Sequence, residues 1–182
     1  MVITVEGQSA ASVNFTVTPT ASLSTTNAVT GTTVTVTGNG FAASSVLTVT
    51  GTSVTLGGTT STNANGVITG ATFTVPNLAA NSYNVVVKDA ASNTAPTISF
   101  TIPTPTASIS PTTGNVGQVV ALSGSNFPAD QTISATYAGS SVTLSGTTTT
   151  TSTGGIPTST PPTFVVPASA GGAQGVVVNI DG

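Results

Sequence analysis

Lys88 stands next to Asp89, and these are the only adjacent base and acid in the sequence, because Lys88 is the one basic residue. An ammonium beside a carboxylate could serve a Ser-Lys dyad or seed an isopeptide bond. Neither has support nearby: the chain contains no His and no Cys, so it holds no Ser-His-Asp or Cys-His relay and no usual zinc or copper ligand set. The other acids are Glu6, Asp130 and Asp181. A calcium site takes six or more oxygens and several carboxylates, and these acids are scattered along the chain. Glu6, Asp89 and Asp181 fall at about the same place in successive repeats, which reads as one acid per hairpin, held by Asx-turn geometry. Lys88–Asp89 reads as a solvated hairpin end. The expectation is no catalytic residue, no metal, no cofactor and no enzyme.

One further motif could carry chemistry. Asn14-Phe15-Thr16 is the single N-x-S/T sequon and a candidate N-glycosylation site, with Asn14 facing away from Val13, Phe15 and Val17. The Thr-rich stretches 147–153 and 158–163 could carry O-glycans. Tyr83 and Tyr137, in a chain without Trp, are too few to build a sugar platform.

With 3% charged residues, a net charge of −3 and no basic run, the surface offers nothing for a nucleic-acid backbone or an anionic membrane to hold. No stretch approaches the ~18 apolar residues of a spanning helix, so no membrane insertion is expected. The opening "MVITVEGQSA" lacks a positive n-region and an apolar core, so the sequence reads as a mature or partial chain.

The elements that position these residues are strands. "TTVTVTG" puts Val34 and Val36 on one face, "SVLTVTG" does the same for Leu47 and Val49, and "ATFTVP" for Phe73 and Val75. Clusters such as "GNG", "TNANG" and "PTPT" break the chain between them. Short strands at this spacing predict an all-β sandwich or barrel with essentially no helix.

A repeat sets the architecture. "ASLSTTNAVTGTTVTVTGNGF" (21–41) aligns without gaps on "ASISPTTGNVGQVVALSGSNF" (107–127), pairing Gly31 with Gly117, Gly38 with Gly124 and Phe41 with Phe127. Further on, "FTVP" at Phe73 answers "FVVP" at Phe164, and "VVVK" at Val85 answers "VVVN" at Val176. The glycines are expected where strand B turns sharply, with the two phenylalanines capping the open end of each sandwich.

The aligned runs resemble the opening strands of IPT/TIG-type immunoglobulin-like domains, and "ATFTVPNLAANSYNVVVKDAASNTAPTISFTI" is similar to the closing strands of Ig-like repeats of archaeal and bacterial surface proteins. The resemblance implies two tandem Ig-like sandwiches in an extracellular or cell-surface protein. Such modules serve as adhesins, stalks and filament subunits alike.

Strands can then be counted. The first copy supplies A (21–24), B (32–38), C (45–51), C′ (53–57), E (67–75), F (83–88) and G (97–102). The second supplies A to F, with no strand G. Residues 12–24, "SVNFTVTPTASLS", nearly repeat 97–110, "TISFTIPTPTASIS", which is strand G and the linker after it. The expected organisation is a donor strand (1–19), a complete domain (20–103) and a domain lacking its last strand (104–182).

Ile3, Val5, Val13, Phe15 and Val17 share one parity and are the expected donor anchors along one uninterrupted strand. Val176, Val177, Val178 and Ile180 are the expected acceptor groove. Burying Val13, Phe15 and Val17 would contribute about 1.5–3 kcal/mol each, and an unfilled edge would recruit another chain. A contact of this kind that does not close on itself builds an open homopolymer, head to tail. The assembly logic resembles that of donor-strand-linked archaeal threads and bacterial pilins. The alternative is a piece of a long tandem Ig-like stalk of an adhesin or S-layer-type protein.

Overall fold

In the computed structural model, residues 4–5, 8–9, 13–51, 54–169 and 171–181 are described, the first four of these by backbone alone. Every regular element among the described residues is a β-strand. Two short strands, β1 (Thr4–Val5) and β2 (Gln8–Ser9), come first and pair antiparallel. These residues therefore double back instead of continuing one extended strand toward Val17, and the single long donor strand is corrected on this point. Residues 13–19 join no ladder.

The first sandwich is built from β3 (Thr20–Leu23), β4 (Thr33–Asn39), β5 (Leu47–Thr50), β6 (Leu56–Gly58), β7 (Ile68–Thr74), β8 (Asn81–Asp89) and β9 (Ile98–Ile102). Its sheets run β3-β4-β7-β6 and β5-β8-β9. The period-two pattern explains the fold: Val34 and Val36 of β4, Phe73 of β7 and Val85 and Val87 of β8 point inward and are fully buried, while the threonines between them face out. β6 pairs with β7, Leu56 opposite Phe73, so the segment expected beside strand C sits in the other sheet.

The second sandwich comprises β10 (Thr106–Ser110), β11 (Val119–Ser125), β12 (Thr132–Tyr137), β13 (Ser140–Val142), β14 (Thr163–Val165) and β15 (Val176–Asp181). Its sheets run β10-β11-β14 and β13-β12-β15. Here the hairpin partner of β12 is β13, closed through Ala138 (φ 50°) and Gly139 (φ 80°). Positive φ at both central residues is the hairpin geometry that matches strand twist.

A shared latch closes one end of each sandwich. Phe41 and Phe127 are both 7% exposed, and their N–H groups donate to the carbonyls of Gly66 (3.3 Å) and Gly154 (3.0 Å). Thr62 Oγ1 donates to the Ala42 carbonyl (2.6 Å) and accepts from the Ser45 N–H (2.9 Å). Thr150 Oγ1 does the same with the Pro128 carbonyl (2.8 Å) and the Gln131 N–H (2.8 Å). Gly38 and Gly124 lie inside β4 and β11, not at turns as expected. A Cβ there would run into the carbonyl of Thr20 or Thr106 and the ring of Phe41 or Phe127, so close approach is what demands glycine.

Between the sandwiches, the Ala129 N–H donates to the Thr30 carbonyl (3.1 Å) and Asn126 Nδ2 donates to the Thr104 carbonyl (3.0 Å). Val29 (6% exposed) and Ala129 (7%) are buried at this joint without belonging to either core.

Candidate functional site

β8 has two partners, and each holds a different half of it. Toward its C-terminal end β5 pairs with it, from Thr50 opposite Val86 to Leu47 opposite Asp89. Toward its N-terminal end β9 pairs with it, through Asn81–Ile102, Tyr83–Phe100 and Val85–Ile98. β15 is the counterpart of β8. It pairs with β12 alone, from Tyr137 opposite Val176 to Thr132 opposite Asp181. Among the described residues nothing pairs along its other edge. Residues 171–175, which occupy the place of the β9-paired half of β8, carry no strand. The Gly175 carbonyl accepts from the Ala138 N–H (2.8 Å), which ties the end of this segment to the β12–β13 turn.

The edge opens on a groove of about 450 Å³. Its walls include Ile109, Val120, Phe164, Val166 and Val176, and its rim runs along Gly172, Ala173 and Gln174. The first sandwich identifies what occupies this position there. Phe100 stands opposite Tyr83, the counterpart of Gln174, and its ring meets Phe73 edge-on at 6.1 Å and 70°. Phe73 corresponds to Phe164 on the groove wall. The groove is thus the place that the phenylalanine of β9 fills in the first sandwich. Part of that role passes to Tyr137, whose ring leans on Phe164 at 6.1 Å and 50° and whose hydroxyl shares a hydrogen bond with Ser169 Oγ (3.0 Å).

Of the expected acceptor residues, Val176, Val178 and Ile180 are half-buried against the second core, whereas Val177 is 54% exposed. Strict alternation turns Val177 outward, so it lines no groove. The wall residues Phe164 and Ile109 and the rim at 172–174 were not anticipated. The register of β8 against β9, transferred to "VVVN", would have located them. Among the expected donor residues, Val13 (68% exposed), Phe15 (90%) and Val17 (61%) are uncovered and contiguous. Asn14 is exposed as well. Ile3 lies outside the described residues, and Val5 lies in β1.

The charged pair behaves unlike a solvated turn. Lys88 is exposed, but Asp89 is 2% exposed. Its carboxylate accepts from the Ala42 N–H (2.8 Å), the Asn93 N–H (2.9 Å) and Asn93 Nδ2 (2.8 Å). Burial pushes the Asp89 carboxyl up, but the Asn93 side chain and the backbone N–H groups of Ala42, Asn93 and Ala91 together hold it below its ordinary value. The register also separates the acids expected to coincide. Leu47 opposite Asp89 matches Ile133 opposite Ile180, so Ile180, not Asp181, takes the place of Asp89. The N–H donor is lost in step, since Pro128 stands where Ala42 does. Glu6 lies outside the described residues. No group of three or more acids that could hold a metal ion occurs among the described residues.

Residues 16–102 match the IPT/TIG domain. The first sandwich is thus similar to an immunoglobulin-like module of that type. No curated protein matches the chain. Among the described residues no helix is long and apolar enough to cross a membrane.

Proposed function

We propose that this chain is a structural unit of an extracellular thread or stalk for adhesion or biofilm cohesion, and that its second sandwich is completed by residues 13–17 of another copy. The observation that supports this reading is the match between an unfilled place and an uncovered strand. The groove beside Gln174 and Phe164 is the position that Phe100 takes in the first sandwich, and Val13-Asn14-Phe15-Thr16-Val17 repeats Ile98-Ser99-Phe100-Thr101-Ile102. Carrying over the β8–β9 register sets Val13 opposite Val176, Phe15 opposite Gln174 and Val17 opposite Gly172. Asn14 then faces solvent, where a glycan would not block insertion. Adding a strand supplies main-chain pairing for affinity and side-chain pockets for specificity. Because donor and acceptor are different segments, the contact is heterologous, and a rotation that does not close extends it into an open thread.

Deleting residues 1–18 tests it. The intact chain should form concentration-dependent head-to-tail polymers visible by light scattering and negative-stain microscopy. The truncated chain should stay monomeric, with an unstable second sandwich that a peptide of residues 2–18 restores. An intact chain that remains monomeric at high concentration, with a truncated form equally stable, rules out the exchange.

A second reading has its own observation. The antiparallel pairing of Thr4–Val5 with Gln8–Ser9 resembles the end of a β8-type strand turning toward a β9-type strand. In a long tandem Ig-like stalk, such a hairpin would belong to an adjoining repeat of the same polypeptide, and the groove would be filled within one chain.

A further inference from the structure

The joint inside the chain has a counterpart at its two free faces. Inside, the turn 28–31 receives the loop 127–131: a Cβ on Gly154 would stand 3.0 Å from Val29 Cγ2, one on Gly31 would stand 3.8 Å from Ala129 Cβ, and the Thr30 carbonyl accepts from the Ala129 N–H (3.1 Å). The second sandwich repeats the turn at 114–117. Gly117 (φ +86°) donates to the Val166 carbonyl (2.9 Å) just as Gly31 (φ +88°) donates to that of Val75 (2.9 Å). Among the described residues nothing lies within 4 Å of a Cβ placed on Gly117, and Val116 is 60% exposed. The first sandwich repeats the loop at 41–45, with Gly66 in the place of Gly154, and there Ala43 is exposed where Ala129 is 7% exposed.

We infer that Val116 of one copy seats against the exposed Ala43 of the next, forming a second contact between copies beside the inserted strand. The inference rests on the strand-exchange reading, because the strand is what delivers the two faces to each other. There is little slack in the delivery. Pro19 is buried, and a Cβ on Gly40 would come within 2.8 Å of the Thr18 carbonyl and 3.2 Å of Pro19 Cα, so residues 18–19 lie on the first sandwich itself. The path from Phe15 to Thr20 is one residue shorter than the path from Phe100 to Thr106, about 3.3 Å of extended chain. The exposed valine is displaced in the same measure: Val116 stands one position further along its turn than Val29 does.

The chain has no native cysteine, so the variant Ala43→Cys/Val116→Cys carries only its two introduced thiols. A short bismaleimide should convert assembled material into a ladder of dimers, trimers and longer species on a denaturing gel. Thr30→Cys/Ala129→Cys serves as the control, cross-linking within one chain. The ladder should vanish when residues 1–18 are also deleted. Assembly by light scattering without a ladder overturns the joint and leaves strand exchange standing. Absence of both assembly and ladder overturns the strand exchange and the joint with it, and a ladder that persists without residues 1–18 overturns the claim that the strand delivers the contact.

Discussion

Val85 and Val87 in the first sandwich are each 1% exposed, whereas Val176 and Val178, in the same positions of the second, are only half-buried. The sequence at these positions is the same type, the opposing strand is present in both units, and the inward parity is unchanged. What differs is the strand on the far side. In the first sandwich β9 covers one edge of β8 and drives Phe100 into the core. In the second no described strand pairs along that edge, and the Tyr137 ring of β12 leans on Phe164. The polar interior differs in step: the Asp89 carboxylate needs the N–H of Ala42, and Ile180 appears where Pro128 has removed that donor. A strand therefore sets how deeply its neighbour is buried, as well as its own stability.

That comparison can be broken by removing the difference. Phe100→Ala should leave in the first core a space like the groove of the second and cost about 3–5 kcal/mol in chemical denaturation. A loss under ~1 kcal/mol would mean that β9 is not what closes the core.

Asp89→Ala leaves the N–H donors of Ala42 and Asn93 without their carboxylate. The expected loss is about 2–4 kcal/mol in the first sandwich and none in the second, read from the two unfolding transitions. Ala42→Pro, copying the second sandwich without Ile180, should cost about 1–2 kcal/mol, and pairing it with Asp89→Ile should recover part of that loss.

A third comparison sharpens the role of the strand beside β8. Val87→Ala should cost roughly 2 kcal/mol, while Val178→Ala should cost less than half as much in the uncomplemented second sandwich. With a strand bound, the two costs should converge.

The smallest effect is with pH. The folded Asp89 carboxyl lies below its ordinary value of 3.8, so as pH falls the unfolded chain takes up the proton first. Its stabilisation is complete above that value and is lost as pH falls through the folded pKa. The thermal midpoint of the first sandwich should therefore hold steady from pH 7 to about pH 4 and decline only below it. A drop of tens of degrees already at pH 4 would contradict this assignment.

Much of this was legible because strands bury by parity. The alternation Val34-Thr35-Val36 and the valine runs at 85–87 and 176–178 announce inward faces, and the Gly31/Gly117 and Phe41/Phe127 pairs announce a repeat. The residues that remained hidden act through partners distant in sequence. Asp89 looks like a turn residue until the loop after Phe41 brings the Ala42 N–H to it. Thr62 and Thr150 sit in low-complexity Thr runs where nothing local distinguishes a buried hydroxyl from an exposed one. Val177 was drawn into the groove by its neighbours' identity, against its own parity. The reversal at β1–β2 was masked because Ile3, Val5 and Val13 through Val17 keep a common parity, which a hairpin preserves as readily as a straight strand.

The central claim is that residues 172–176, where the chain enters β15, accept one strand in one register. Amide hydrogen exchange in the chain lacking residues 1–18, with and without a peptide of residues 12–19, tests it most directly. The peptide should protect amides from Gly172 to Val176 and leave Asn81 to Val85 unchanged, with Phe15→Asp in the peptide abolishing the effect. Unchanged exchange across Gly172–Val176 at saturating peptide, or equal protection by the Phe15→Asp peptide, would contradict it.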